Sequence, residues 1–157
     1  LGNIKYDVAV SKIMPMKGNV KKGAEIFKQQ SCAACHTVEK GAKAVGPQLV
    51  DIGKRYKRIE LLESIIKPNA KIAQGFATQI FATEEGLTYT GFVTREAGDE
   101  VEIRTAEGKS VVISKNIIEA RKESKNSVMP EGLVSNLNAK QMASLLAYLE
   151  SLKSEAN

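Results

Sequence analysis

Five consecutive residues, Cys32-Ala33-Ala34-Cys35-His36, hold both cysteines and the only histidine of this 157-residue chain. Two thiols three positions apart lie one helical turn from each other, so each can add to one of two neighbouring vinyl groups on a porphyrin. The adjacent imidazole is then held under the iron, and C-x-x-C-H is the attachment signature of c-type haem. A thioredoxin-like dithiol uses the same C-x-x-C but normally follows a strand in a βαβ pattern, whereas a helical pattern precedes the motif here. A buried pair of free thiols beside an incidental histidine is the remaining alternative. A single bridge across so short a loop would staple almost nothing. A closed structural zinc site needs four ligands, and two cysteines and one histidine fall short of that. A Ser-His-Asp triad would have to draw on the same histidine.

Something must position that motif, and the flanking sequence is built for it. Asn19 is a good N-cap for a helix running from Val20 to about Gln30. Val20, Ala24 and Phe27 share one face of it, with Gly23 beside them. A glycine inside a helix costs up to about 1 kcal/mol relative to alanine; close approach by another backbone or a bulky ring would compensate, and a neutral surface glycine is the other reading. From Gly41 to Gly53 the chain reads as a loop organised around Gly46-Pro47. Ile59, Leu62, Ile65 and Ile66 then space a short helix over Arg58–Lys67, which Pro68 stops.

At Gly75 the apolar period changes from near 3.6 to near 2. Phe76–Thr83, Leu87–Arg95, Glu100–Thr105, Ser110–Ser114 and Ile117–Arg121 read as five short strands separated by turn-like pairs such as Glu85-Gly86 and Lys115-Asn116. This predicts a small antiparallel β module, a compact barrel in form. Helical pattern returns at Asn138, where Gln141 completes a capping box and Leu137 and Met142 occupy the staple positions. Met142, Leu145, Leu149 and Leu152 follow as an apolar stripe. The expected division is a leader or linker at 1–18, a helical domain made of 19–75 and 122–157, and an inserted five-stranded module at 76–121.

The residues around the motif resemble class I c-type cytochromes. The stretch from Gly18-Asn19-Val20 to Ile26-Phe27, then Cys32 to His36 and Thr37-Val38-Glu39-Lys40-Gly41, is similar to the first third of that family. Gly46-Pro47-Gln48-Leu49 resembles its loop after the haem motif, and Leu145-Leu146-Ala147-Tyr148-Leu149 its C-terminal helix. The resemblance covers about half the chain and leaves out 76–121. With the module, the arrangement looks like haem-binding domains at the ends of large secreted proteins of planctomycete-type bacteria. It implies a mainly α cytochrome c fold interrupted by a small antiparallel β insertion, α+β in all, carrying one covalently attached haem c.

Carried over residue by residue, the resemblance makes Cys32 and Cys35 the thioether residues and His36 the proximal iron ligand. The Pro47 carbonyl would accept the Nδ1–H of His36, and Leu49 would pack on the haem. Arg55 and Tyr56 fall where the family bonds a propionate; a solvated basic loop is the other reading of that pair. Gly23 and Phe27 would receive Tyr148 and the Leu145/Leu149 face. Met129, in Ser127-Val128-Met129-Pro130, matches the family's distal ligand position, because Pro130 keeps the residue before it extended. Met142 is expected in the core, and Met14 and Met16 lie on the wrong side of the motif. An open or lysine-ligated iron, or another methionine, remains the alternative to Met129.

With 43% hydrophobic and 26% charged residues, the composition is that of a globular chain. Its longest apolar run, Leu145–Leu149, is far below the ~20 residues of a spanning helix, so no membrane span is expected. The net charge is +5, yet 76–121 carries five basic against eight acidic residues. The remainder holds 18 basic and 10 acidic ones, a field that favours redox partners with an acidic docking surface. No basic stripe interleaved with aromatics marks a nucleic-acid partner. The function implied is a single-electron carrier cycling Fe(III)/Fe(II), and not an enzyme by itself, in a periplasmic or other extracytoplasmic compartment. Two other readings stand beside it: an electron-entry domain of a larger dehydrogenase, and a haem sensor or peroxidase-like protein with an open distal site. The module is expected to cover a haem edge, set the position of Met129, dock a partner, or only add stability.

Overall fold

The computed structural model describes residues 1–2, 4–42 and 44–154. The chain divides into two compact units, one made of residues 1–70 and 131–157, the other of residues 71–130.

The first unit is helical. Its elements are α1 (Tyr6–Ile13), α2 (Val20–Gln29), α3 (Cys32–Cys35), α4 (Ile52–Arg55), α5 (Arg58–Ile66) and α6 (Ala139–Ser151). Asn19 caps α2 as its sequence predicts, its side chain accepting from the Lys22 amide at 2.9 Å. The capping box of α6 is formed in both directions, Asn138 and Gln141 each accepting from the other's backbone N–H at 2.9 Å. Around α6, whose Met142, Ala143 and Leu146 are fully buried, gather Ile26, Phe27, Ile52, Leu61 and Leu62.

Three glycines let other segments touch the backbone of α6. A Cβ added at Gly23 would lie 2.0 Å from the Ser144 carbonyl oxygen and 2.6 Å from the Tyr148 Cβ. Gly18 meets the Ala143 carbonyl at 2.0 Å in the same way, and Gly53 the Glu150 carbonyl at 2.3 Å. The close approach expected at Gly23 is therefore made, and it is not a neutral surface glycine; beside it the rings of Phe27 and Tyr148 sit 5.6 Å apart. The Ser144 hydroxyl completes the crossing by accepting from the Asn19 amide at 3.1 Å.

Residues 1–18, expected as a leader or linker, depart from that expectation. They contain α1, and its Ala9 and Ile13 belong to the same core as α6. The i, i+4 spacing of those two residues makes α1 amphipathic, but an eight-residue helix ending beside Pro15 offers little periodicity to read.

The second unit is a five-stranded antiparallel sheet of β1 (Thr78–Thr83), β2 (Thr88–Ala97), β3 (Glu100–Arg104), β4 (Ser110–Ser114) and β5 (Ile118–Glu123). Five strands are found close to where the alternation places them, in the order β4-β3-β2-β1-β5. That order puts β4 and β5 at the two ends of the sheet. The pair Lys115-Asn116, read as a turn, begins a 3-10 turn at Lys115–Ile117. The unit also extends beyond 76–121 on both sides.

β2 bonds β1 through its first half and β3 through its second, with a register shift between Val93 and Arg95. That irregularity curls the strand, as bulges do. Glu96 near its end thereby meets two basic groups: it takes both terminal guanidinium nitrogens of Arg121 at 3.0 Å and the Lys115 ammonium at 3.3 Å. Phe81, Val101, Ile103 and Ile113 form a core separate from that of the helical unit.

Candidate functional site

Helix α2 ends at Gln29, and Ser31 adopts a left-handed conformation with φ of 60°. Non-glycine residues rarely do so. Here it redirects the chain into α3, a single turn closed by the His36 amide donating to the Cys32 carbonyl at 2.9 Å. Both cysteines are free and half-buried on that turn. Burial pushes the Cys32 thiol above its ordinary range, a backbone hydrogen bond opposing it and the neighbouring Cys35 adding to it. The two sulfurs thus stand three residues apart on one turn.

The chain then leaves the helix in an extended conformation at His36. The ring nitrogen Nδ1 lies 2.7 Å from the Pro47 carbonyl oxygen. A carbonyl can only accept, so Nδ1 carries the proton and Nε2 keeps its lone pair. Burial lowers the pKa of His36, and the hydrogen bond to Pro47 works against that shift. The ring is neutral at pH 7, the form in which imidazole binds metals.

Two backbone hydrogen bonds fix this acceptor. The Gly46 amide donates to the Cys35 carbonyl at 2.7 Å, and the Leu49 amide to the Thr37 carbonyl at 2.8 Å. Segment 46–49 therefore lies along 35–37 with the Pro47 carbonyl between the two ties. Gly46 has to be small, because a Cβ there would sit 3.0 Å from the His36 Cε1 and 3.3 Å from Nδ1. Leu49 and Tyr56 are half-buried against the helical core. Arg55 turns its guanidinium on the loop itself: Nε donates to Asp51 Oδ1 at 2.8 Å, and an Nη to the Gln48 carbonyl at 2.9 Å.

Met129 lies in the second unit, half-buried, with its amide donating to the Ser127 hydroxyl at 3.1 Å. Met142 is fully buried in the helical core, as expected of a staple residue, while Met14 packs against that core and Met16 is 38% exposed. The structure thus gathers Cys32, Cys35, His36 and Pro47 into one site, with Leu49, Arg55 and Tyr56 on the segment just after it. Sequence reasoning passed over two contributors. Asp51 stands four residues before Arg55, the helical spacing of an ion pair, which was a readable signal. The seating of Gly46 on the His36 ring left no mark beyond the Gly-Pro pair.

These residues fit a covalently held haem. The donor set offers two thiols on one turn and, directly after them, a neutral imidazole with Nε2 available. A carbonyl accepting from Nδ1 is what metal-bound histidines use to hold tautomer and orientation. No curated protein matches the chain. The family model for cytochrome c matches residues 20–101, from the first residue of α2 through the cysteine-histidine motif and into the sheet. Spanning just over half of the residues, that match shows that the chain belongs to the cytochrome c family of haem-binding electron carriers.

Proposed function

We propose that the chain is a monohaem c-type cytochrome that carries single electrons between redox proteins, with His36 and Met129 as its axial ligands. The observation that carries this reading is the 2.7 Å bond from His36 Nδ1 to Pro47, made directly after a turn bearing two free thiols. When bound, the haem supplies an iron that accepts and returns one electron. Cys32 and Cys35 would hold it as thioethers, each sulfur adding to one vinyl carbon and its hydrogen to the other. His36 offers Nε2, while the Pro47 carbonyl holds its Nδ1 proton and raises the basicity of the ring. Leu49 would lie against the haem and exclude water. Arg55 and Tyr56 would supply donors for a propionate. Met129 offers a thioether sulfur, a ligand that raises the reduction potential.

Electron transfer needs little rearrangement when both axial ligands are retained, and no substrate is converted. The helical unit holds fifteen basic and nine acidic residues, against eight and nine in the sheet unit. That field suits partners with an acidic docking surface, whose approach it speeds at low salt. Covalent haem attachment, as the family uses it, belongs to the periplasm or an equivalent compartment.

The deciding experiment is the visible and near-infrared spectrum of the purified protein, oxidised and then reduced, with Met129→Ala beside it. A low-spin ferric spectrum with a sulfur-to-iron charge-transfer band is expected. Met129→Ala should lose the band, lower the potential and open the iron. An unchanged ferric spectrum in that variant would remove Met129 from the iron. A high-spin wild-type spectrum would move a sensor or peroxidase-like function ahead.

A further inference from the structure

Segment 46–49 presents two successive carbonyls to different partners. The Pro47 carbonyl accepts from His36 Nδ1 on the partly buried side. The Gln48 carbonyl accepts from Arg55 at 2.9 Å on the exposed side. Arg55 cannot swing freely, because Asp51 holds its Nε at 2.8 Å. The Gln48 side chain adds a further tie, its Nε2 donating to the Ala42 carbonyl at 3.1 Å.

We propose that Arg55, held by Asp51, is a positioning residue for His36, clamping the Gln48–Leu49 peptide, next to the one that carries the Pro47 carbonyl, so that this carbonyl stays on the ring nitrogen. A guanidinium is suited to this, since its rigid fork holds the carboxylate and the carbonyl together. Hydrogen bonds from a charged donor are roughly twice as strong as neutral ones. The exposed Asp51–Arg55 pair adds little to global stability, so its effect is on the loop and the variants fold. The inference rests on His36 being the iron ligand and is separate from any propionate contact by Arg55.

The test uses the ferric holoprotein. Proton NMR follows exchange of the hyperfine-shifted His36 Nδ1–H into D2O in the wild type, Arg55→Gln, Arg55→Lys, Asp51→Ala and the Asp51→Ala/Arg55→Gln double variant. Arg55→Gln and Asp51→Ala should each exchange about tenfold faster, equivalent to about 1.4 kcal/mol of lost closure. The double variant should exchange no faster than Arg55→Gln, because both changes break one clamp. Arg55→Lys keeps the cation but not the fork, and should also exchange fast. Wild-type exchange in both Arg55→Gln and Asp51→Ala overturns the proposal. So does acceleration in Arg55→Gln with none in Asp51→Ala, the signature of a propionate contact alone. If the visible spectrum of the holoprotein shows no histidine-ligated haem, the functional reading falls, and this inference with it.

Discussion

Substituting Gly23 with alanine pits two effects of opposite sign against each other. Alanine inside a helix is favoured over glycine by about 1 kcal/mol, so a Gly23 facing open space would tolerate or reward the change. In the structure the new Cβ lands 2.0 Å from the Ser144 carbonyl oxygen, which is backbone of α6 and cannot rotate away. Reaching ordinary contact at 3.4 Å from 2.0 Å requires the helices to part by roughly 1.4 Å. Gaps of half that size already forfeit a quarter to a half of the dispersion attraction between facing atoms, and overpacking of this kind costs up to about 3 kcal/mol. The Asn19–Ser144 hydrogen bond across the same crossing goes too, for about 1 kcal/mol. The net expectation is a loss of about 3 kcal/mol. Urea unfolding followed by helical circular dichroism should show the midpoint falling by at least about 1 M at typical slopes. A variant as stable as the parent, or more so, would refute the backbone contact between α2 and α6.

Leu62 is fully buried in the helical core, and Leu62→Ala should cost about 2–5 kcal/mol, read from the same urea curves; a loss under 1 kcal/mol would place it near the surface. Phe81 has the corresponding position in the sheet. Phe81→Ala should cost about 3–5 kcal/mol and remove amide-exchange protection from β1–β5 while α2 and α6 keep theirs; loss in all elements together would mean one cooperative unit. For the haem-free chain, the raised pKa of Cys32 lowers its thiolate fraction at any given pH below that of an ordinary thiol. Its alkylation by iodoacetamide, followed by mass spectrometry, should be slower than in the urea-unfolded chain at neutral pH and gain on it as pH rises. Equal rates at every pH would contradict the burial.

The parts of this fold that were legible are those whose signals are local. The C-x-x-C-H run, the Asn19 cap, the Asn138/Gln141 capping box and the switch of period at Gly75 are each contained within a few residues. The structure forms the corresponding turn, helix starts and strands. What could not be read depends on distant neighbours. Helix α1 is held by the packing of Ala9 and Ile13 in a core they share with residues more than a hundred positions later. Alternation marks strands but not their partners, so the order β4-β3-β2-β1-β5 was not recoverable. At the candidate site, the His36–Pro47 bond was expected from the family's pattern, whereas the Arg55 fork on Gln48 depends on the path of a loop without periodicity.

The strands at the two ends of a sheet are where strands from other molecules can add. The two edges here are unequally defended. β5 exposes Glu119, Arg121, Lys122 and Glu123, so an incoming strand would have to strip water from charges of both signs. β4 is only five residues long, but it leaves Val112 54% exposed and unguarded by charge within the strand. Intermolecular strand addition, the first step toward aggregation of this chain, would therefore begin on the β4 side, and a lysine at position 112 is the substitution that would close it.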